Sequence, residues 1–406
     1  MRSLLILVFI YMLVLAMGAC TPAQPPANLA SVPITIINTP VPTKTTTGTP
    51  LLPLPDLPIF QAPTLLSIEF QDANQGWGIA ANDDGYLLRT VNGGTTWLNA
   101  TPPGLTGVGY STNLSVLDVN TVWMLVPNVD FFTGILFRTI DGGLTWASVA
   151  VPFGGAGIQF LDASTGRVLA GRGVGLGSNA VEMYQSSDGG ATWISVFKND
   201  PNRADSSDSL PMSGIKNGMI FLDTNTGWVT GTRPVDGEVF LFGTHDGGVS
   251  WSLQSIPLPP SYETYQYMPQ APVFFGSDGF LPLLIYLPGT TGFTFYTTHD
   301  GGTTWTGDPT NPNRMVRSPG QYAFADALHG WCWDGGSNLY FTIDGAKTWG
   351  GKVISLDLSE RLSQLEFVPG TDGQFTGWAL TSLDDDGHSQ LYQTIDMGGS
   401  WIPLIP

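Results

Sequence analysis

The sequence predicts an all-β protein: a seven-bladed β-propeller of four-stranded antiparallel blades. Three observations carry this expectation. An eight-residue box such as Thr139-Ile140-Asp141-Gly142-Gly143-Leu144-Thr145-Trp146 occurs seven times. A Gly-Trp landmark or its variant precedes each box tryptophan by 18 to 26 residues. No segment beyond the N-terminal apolar run shows a helical stripe of useful length. A repeat of roughly fifty residues marks one supersecondary unit that must bury its faces against its neighbours.

The boxes carry Asn92 and Trp97, Asp141 and Trp146, Asp188 and Trp193, Asp246 and Trp251, Asp300 and Trp305, Asp344 and Trp349, and Asp396 and Trp401. Each has Ser or Thr two places before the Asp/Asn, and again four places after it. Asn92, Ala346 and Met397 are departures from the pattern. Glycines in such a turn supply positive φ, the carboxylate accepts backbone N–H groups, and the tryptophan is a large apolar plate between neighbouring sheets. Seven copies around a ring argue for structure, not catalysis.

The landmarks are Gly76-Trp77, Val122-Trp123, Gly166-Arg167, Gly227-Trp228, Gly279-Phe280, Gly330-Trp331 and Gly377-Trp378. Each unit therefore reads as apolar strand, tight turn, Gly-Trp strand, variable loop, third strand, Asp turn and Trp strand. Seven such sheets hide their faces by closing radially, and an open solenoid is the alternative. The last box leaves Ile402 to Pro406 for a final strand, so blade seven is complete without borrowing, and closure rests on side-chain packing with Leu57–Gln61 as an added edge.

Three segments follow: a lipoprotein-type signal peptide at 1–19, a Pro/Thr-rich linker at 20–58, and the propeller at 59–406. Leu4–Met17 is shorter than the roughly 20 apolar residues of a membrane span and leads into Met17-Gly18-Ala19-Cys20. Cys20 is the expected lipid attachment site, placing a monomeric body outside the cytoplasm at the outer face of a membrane; an ordinary signal peptide cut nearby, with Cys20 incidental, is the alternative. Residues 21–58 hold ten prolines and eight threonines, the composition of a solvated spacer. Cys332, between Trp331 and Trp333, reads as a small buried hydrophobe.

The formal net charge of −18 excludes the basic footprint a nucleic-acid binder needs. Two cysteines and four scattered histidines support neither a disulfide scaffold nor a zinc site, and no cofactor is expected. Asp83 and Asp84, with Asp384, Asp385 and Asp386 from the neighbouring blade, are a weak Ca2+ candidate set against ordinary acidic turns. His245 and His299 occupy equivalent box positions and read as turn-surface residues.

The box resembles the Asp box of bacterial neuraminidase repeats. Together with an apolar-x-Asp-x4-Gly-Trp pattern in most units, the chain from about residue 64 resembles the photosystem II stability and assembly factor family. That resemblance implies a seven-bladed, exported, non-enzymatic assembly scaffold. An arginine patch is associated with the family; here Arg89 and Arg138 precede the first two boxes, whereas Gln185, Gly243, Thr297, Phe341 and Gln393 fill the corresponding places.

Length variation concentrates in 98–113, 194–217, 252–272 and 306–320, on the face away from the boxes, where function usually sits. Tyr262, Tyr265 and Tyr267, with Arg172 and Arg233 beside them, are the expected protein-binding residues, suited to an acidic or extended segment. The tyrosines serving only to cap the connection between blades four and five is the competing reading. A sialidase-like or carbohydrate-binding propeller is the alternative function, with Tyr262-Glu263 as the imaginable nucleophile pair; the Phe/Tyr-Arg-Ile-Pro segment of sialidases is missing, which favours a non-enzymatic module.

Overall fold

The computed structural model describes residues 58–406 except 62, 82–84, 110, 200–208, 312–314, 318–320, 335, 355, 357, 359–360, 371–372 and 405–406. The signal peptide, Cys20 and nearly all of the linker therefore lie outside the described residues, as do Asp83 and Asp84.

Seven antiparallel sheets follow one another along the chain. Their first strands are Leu65–Phe70, Asn113–Val116, Ala156–Phe160, Ile215–Phe221, Gln266–Pro269 continued by Val273–Phe275, Gln321–Phe324 and Leu362–Pro369. The landmark residues open or follow the start of the second strands, from Gly76–Ala80 in blade 1 to Phe375–Thr381 in blade 7. Third strands end at the Ser or Thr of each box, and fourth strands follow the box tryptophan. Strand pairing within each blade runs in chain order from first to fourth. Ile59–Phe60 joins the outer edge of blade 1, pairing with Trp97–Asn99, so it widens that blade and closes nothing.

A sheet buried on both faces needs two apolar partners, and the packing supplies them seam by seam. The buried residues of the described chain form seven clusters, each shared by two adjacent blades, including blades 7 and 1. The ring is closed, which removes the solenoid alternative. Every seam receives the second-strand landmark of one blade and the box tryptophan of the next. Trp123 stacks on Phe160 at 3.7 Å and 4°, and Trp193 meets Phe160 edge-on at 5.8 Å and 78°. The same three-ring lock is made by Trp378, Phe70 and Trp97, by Trp331, Phe367 and Trp401, and by Phe280, Phe324 and Trp349. Offset and edge-to-face contacts of this kind add about 0.5–1.5 kcal/mol each beyond area burial.

Where the landmark is not tryptophan, chemistry substitutes. The Arg167 guanidinium lies 5.2 Å from the Phe221 ring, a cation–π contact in place of a stack. Indole N–H groups complete the lock: Trp123 donates to the Gly189 carbonyl at 2.9 Å and Trp378 to that of Gly93 at 2.9 Å. In the first seam Arg89 Nη1 makes the equivalent bond to Gly142 at 2.9 Å. Cys332 is fully buried, and burial pushes its thiol up to about 12, which leaves it an inert apolar side chain.

The turn glycines explain the box departures. An added Cβ on Gly302 would come within 2.2 Å of Trp228 of the preceding blade. At the equivalent place Ala346 stands at φ +61 in the seam whose landmark is the smaller Phe280, so its Cβ has room. Ala346→Gly should therefore raise stability by about 1 kcal/mol, since a left-handed Cβ costs about 1–2 kcal/mol and glycine returns part of that as entropy. Gly302→Ala should cost more than about 2 kcal/mol through overpacking and backbone strain together. Chemical denaturation of the two variants checks both signs.

Candidate binding face

The ring has two faces of different character. On the box face, each turn is tied down by one repeated network. Thr139 Oγ1 donates to Asp141 Oδ1 at 2.8 Å and accepts the Gly143 N–H at 2.9 Å; Asp141 accepts the Thr145 N–H at 2.9 Å and its hydroxyl at 2.6 Å. The other Asp boxes repeat it, and Asn92 reproduces it with Oδ1 accepting the Thr96 N–H and Nδ2 donating to Thr96 Oγ1. The turns between first and second strands lie against these boxes, as when Gly142 N–H bonds the Asn120 carbonyl. The carboxylates are accordingly held down. The Thr304 hydroxyl and amide bring Asp300 to about 2. At Asp396 burial pushes upward, and the Ser400 amide and hydroxyl outweigh it, leaving about 2. These groups are committed to the fold.

The opposite face carries the loops between second and third strands, and three consecutive blades raise apolar tips there. In blade 2, Val129 is fully exposed, Phe131 is 42% exposed and Phe132 48%. The loop is tied together internally: Asp130 Oδ1 accepts the Phe132 and Thr133 N–H groups, and Asn128 pairs with Thr133 through backbone and side chain. Gly154 and Gly155 form its floor; a Cβ on Gly154 would sit 2.3 Å from the Thr133 carbonyl oxygen. In blade 3, the strands Gly166–Gly175 and Ser178–Ser186 meet in a two-residue tip, Leu176-Gly177. Both φ angles are positive, +48 and +76, the pattern of a type I′ turn, where Asn or Gly is normally found. Leu176 is fully exposed there. Phe131 also has positive φ, +58. Val235 of blade 4 extends the row.

Arg172 braces this region. Its Nε pairs with Glu182 at 2.8 Å, and its Nη atoms reach the Tyr184 hydroxyl, the Pro152 carbonyl at 2.7 Å and the Phe132 carbonyl at 3.2 Å. One guanidinium thus ties the base of the blade 3 hairpin to the blade 2 tip. Arg233 is paired with Glu238 and donates to Ser213.

The sequence expected Arg172 and Arg233 beside the tyrosine segment. Arg233 does lie near it, since Gly237 N–H bonds the Tyr265 carbonyl at 2.8 Å. Arg172 does not: it points toward blade 2, whereas the tyrosines pack at the seam of blades 4 and 5. Both guanidiniums are paired with carboxylates, Arg172 with Glu182 and Arg233 with Glu238, and do not stand together as open cations. Tyr267 is not a loop residue. The 252–272 connection already contains the inner strand from Gln266, and the ring of Tyr267 is buried in the seam with its hydroxyl on the Tyr262 carbonyl. Tyr262 and Tyr265 are half-buried against the same cluster and meet edge-on at 5.4 Å. Burial, then the charges of Tyr265 and Asp308, push the Tyr262 hydroxyl up, opposite to the activation a nucleophile needs, and it donates to the Pro309 carbonyl.

Asp384 Oδ1 is spent on the Asp386 and His388 N–H groups of its own turn. Among the described residues no group of three or more potential metal ligands occurs. His299 pairs with Asp278 on the box face. Sequence reasoning missed the apolar tips, although Val129-Asp130-Phe131-Phe132 and Val174-Gly175-Leu176-Gly177 were visible as apolar residues inside turn-like segments.

No family model matches the chain, and no curated protein matches it. Among solved structures, it is similar to YCF48 from Cyanidioschyzon merolae at 17% identity, over 84% of this chain and 97% of that one, with a TM-score of 0.49. A YCF48 bound to D1 peptide matches at 16% identity over 88% and 97%, TM-score 0.46. A polysaccharide lyase of family PL25, an ulvan lyase, matches at 10% identity over 84% and 94%, TM-score 0.49. At these identities the likeness concerns the fold alone.

The box network sets an acid limit. A carboxyl with its folded pKa below the unfolded value stabilises fully above the ordinary aspartate range, and this stabilisation disappears as pH falls toward about 2. Asp396→Asn, copying Asn92, should fold normally and lose less stability between about pH 4 and 2 than the parent. Denaturation midpoints across that interval measure it.

Proposed function

We propose that this chain is a protein-binding, assembly-type scaffold that takes a partner segment on the second-to-third-strand tips of blades 2 and 3. The observation that carries this reading is Leu176, a fully exposed leucine held in left-handed backbone at a hairpin tip. Such a placement costs about 1–2 kcal/mol and exposes apolar surface, so it works against the fold's own stability. Strain at an exposed apolar tip is the kind of outlier from which a binding role is inferred. Phe131, Phe132 and Val129 add anchors on the adjacent tip, and the Arg172 brace pre-organises the two loops, which lowers the entropic cost of association.

The charge of the partner follows from the surroundings. Arg172 and Arg233 are neutralised internally, while Asp130, held ionised by the Thr133 and Phe132 N–H groups, stands among the apolar tips. The chain as a whole carries −18. The fitting segment is basic with apolar side chains, the reverse of the acidic partner that an open Arg172/Arg233 patch would suit. Residues Met17 to Cys20 support display outside the cytoplasm on a lipid anchor, with the Pro/Thr linker as spacer. The box and landmark resemblance to photosystem II assembly factors agrees with a scaffold role.

Leu176→Asn separates function from fold. It should gain about 1 kcal/mol of stability, because asparagine tolerates the left-handed tip, and weaken capture of a basic, apolar partner segment, which the anchored display makes a membrane-associated protein's, at least about tenfold. Capture by wild type should fall with rising salt. Equal capture by wild type and a Leu176→Asn/Phe132→Ser variant would remove this surface as the binding site.

Anchoring is tested separately. Cys20→Ser should release the propeller into the soluble extracytoplasmic fraction or leave the precursor uncleaved. Unaltered membrane fractionation and processing would reject the lipid anchor.

A further inference from the structure

The blade 3 hairpin outgrows its own sheet. The fourth strand of that blade, Ile194–Lys198, ends opposite Glu182, whereas the second and third strands stay paired out to Gly175 and Ser178. A third strand that projects in this way has an edge its own blade does not cover, with backbone N–H and C=O groups to satisfy. Two neighbours fill that edge. Asn199 Oδ1 accepts the Val181 N–H at 2.7 Å, and the Asn199 N–H donates to the Val181 carbonyl at 3.1 Å. Further toward the tip, Gly214 from the connection between blades 3 and 4 bridges Ser178: its N–H donates to the Gly177 carbonyl at 3.1 Å, and its carbonyl accepts the Asn179 N–H at 3.2 Å.

One buried lysine holds this junction. Lys216, the second residue of the blade 4 first strand Ile215–Phe221, is 7% exposed. Its Nζ donates to the carbonyls of Met212, Ser213 and Gly214 at 3.1–3.2 Å and to that of Asn179 at 3.1 Å. Three consecutive carbonyls turned onto one point are the kind of oxygen set a hard cation takes, and here an ammonium stands in that place. A buried ammonium needs its N–H groups bonded, so this one draws the 212–214 segment and Asn179 together. The Asn179 side chain closes the lock in return, Oδ1 accepting the Lys216 N–H at 3.0 Å and Nδ2 donating to the Lys216 carbonyl at 3.4 Å. Nζ also lies 5.8 Å from the centroid of the Phe240 ring.

We propose that Lys216 is a positioning residue of the binding surface: its ammonium, standing where a bound cation would, fixes the direction in which the blade 3 hairpin presents Leu176. The consequence for binding rests on the reading of Leu176 as a partner anchor; the positioning itself rests on the cage. Asn179 is three residues from Leu176, and Gly177 is adjacent to it. On the other flank Arg172 ties the hairpin to blade 2, and it does so at the bulge where register shifts between Gly171 and Val174. A hairpin held only there could swing about that bulge, where Gly173 has φ +125. The Lys216 cage holds the opposite side, beyond the bulge, so the tip is pinned from both neighbouring blades. A tip already held in one direction loses less freedom when a partner docks.

Methyl NMR and hydrogen exchange of the full chain read this without a partner. Lys216→Ala should shift or split the Leu176 methyl signals and lower protection of the Asn179 and Gly214 amides at least about tenfold, a local opening and not a global one. The Phe160 amide, which donates to Ser115 Oγ at 2.9 Å in the seam of blades 2 and 3, should keep its protection. n-Propylammonium supplies the atoms that Lys216→Ala removes, so it should restore the signals and the protection. Tetramethylammonium at equal ionic strength has no N–H donor and should restore neither. Asn179→Ala keeps the ammonium and cuts the reciprocal side-chain bonds; it should move the same Leu176 signals, and it decides the matter if Lys216→Ala does not fold. Unmoved Leu176 signals in either variant, or equal restoration by the two cations, overturn the proposal. Where Leu176→Asn weakens capture of a basic, apolar segment, Lys216→Ala should weaken it about two- to tenfold, and undiminished capture there also overturns the positioning role. Unaltered capture by Leu176→Asn, with the tip moved in Lys216→Ala, strikes the binding face and leaves the cage standing.

Discussion

The lock between neighbouring blades is the interaction on which the structure depends. A four-stranded sheet with two apolar faces has no interior of its own, and this chain distributes its core into seams. Each seam needs a flat group from the second strand of one blade, usually a phenylalanine closing the first strand of the next, and that blade's box tryptophan. Stacking at 3.7–3.9 Å with interplanar angles below 8° in four seams sets the approach of adjacent sheets. At Gly302 the second box glycine follows from the same constraint: with Trp228 packed against the turn, a Cβ has nowhere to go. The Phe280 seam relaxes that constraint, and there the glycine is replaced by Ala346.

Locking the seams also divides the molecule by face. The indole and arginine N–H groups that tie one blade to the next end on box-turn carbonyls, so the box face is saturated with bonds the fold requires. Loops on the opposite face are under no such obligation, and it is there that length varies and that Phe131 and Leu176 adopt left-handed backbone. Rigid ring and committed face together leave one surface on which residues can be placed at some expense to stability, which is where a recognition surface belongs.

Closure sets the closing seam apart. Its aromatic lock, formed by Trp378, Phe70 and Trp97, is as close as any other. Its polar rung from first strand to first strand, however, runs through the Glu366 carboxyl, where the seams between blades 2 and 3 and between blades 3 and 4 use serine and glutamine.

The sequence by itself determined the repeat number, the order of strands within each blade and the structural role of the boxes. These are local properties: a turn of fixed length fixes which hydroxyl meets which carboxylate, and the spacing of the tryptophans sets one plate per sheet. It also placed variation on the face away from the boxes. What it could not specify is which residues from different blades meet. Tyr267 lay within an apparent loop, but strand register turned its ring into the seam, because alternation decides which face a side chain takes. Arg172 reads as a free loop cation until Glu182 and the blade 2 carbonyls are brought to it. Glu366 stood in a first strand near one end of the sequence and Phe70 in a first strand near the other, each ordinary alone. Only the closed ring makes them neighbours, with the Phe70 N–H on the Glu366 carboxylate, a meeting across the whole chain that no local spacing encodes.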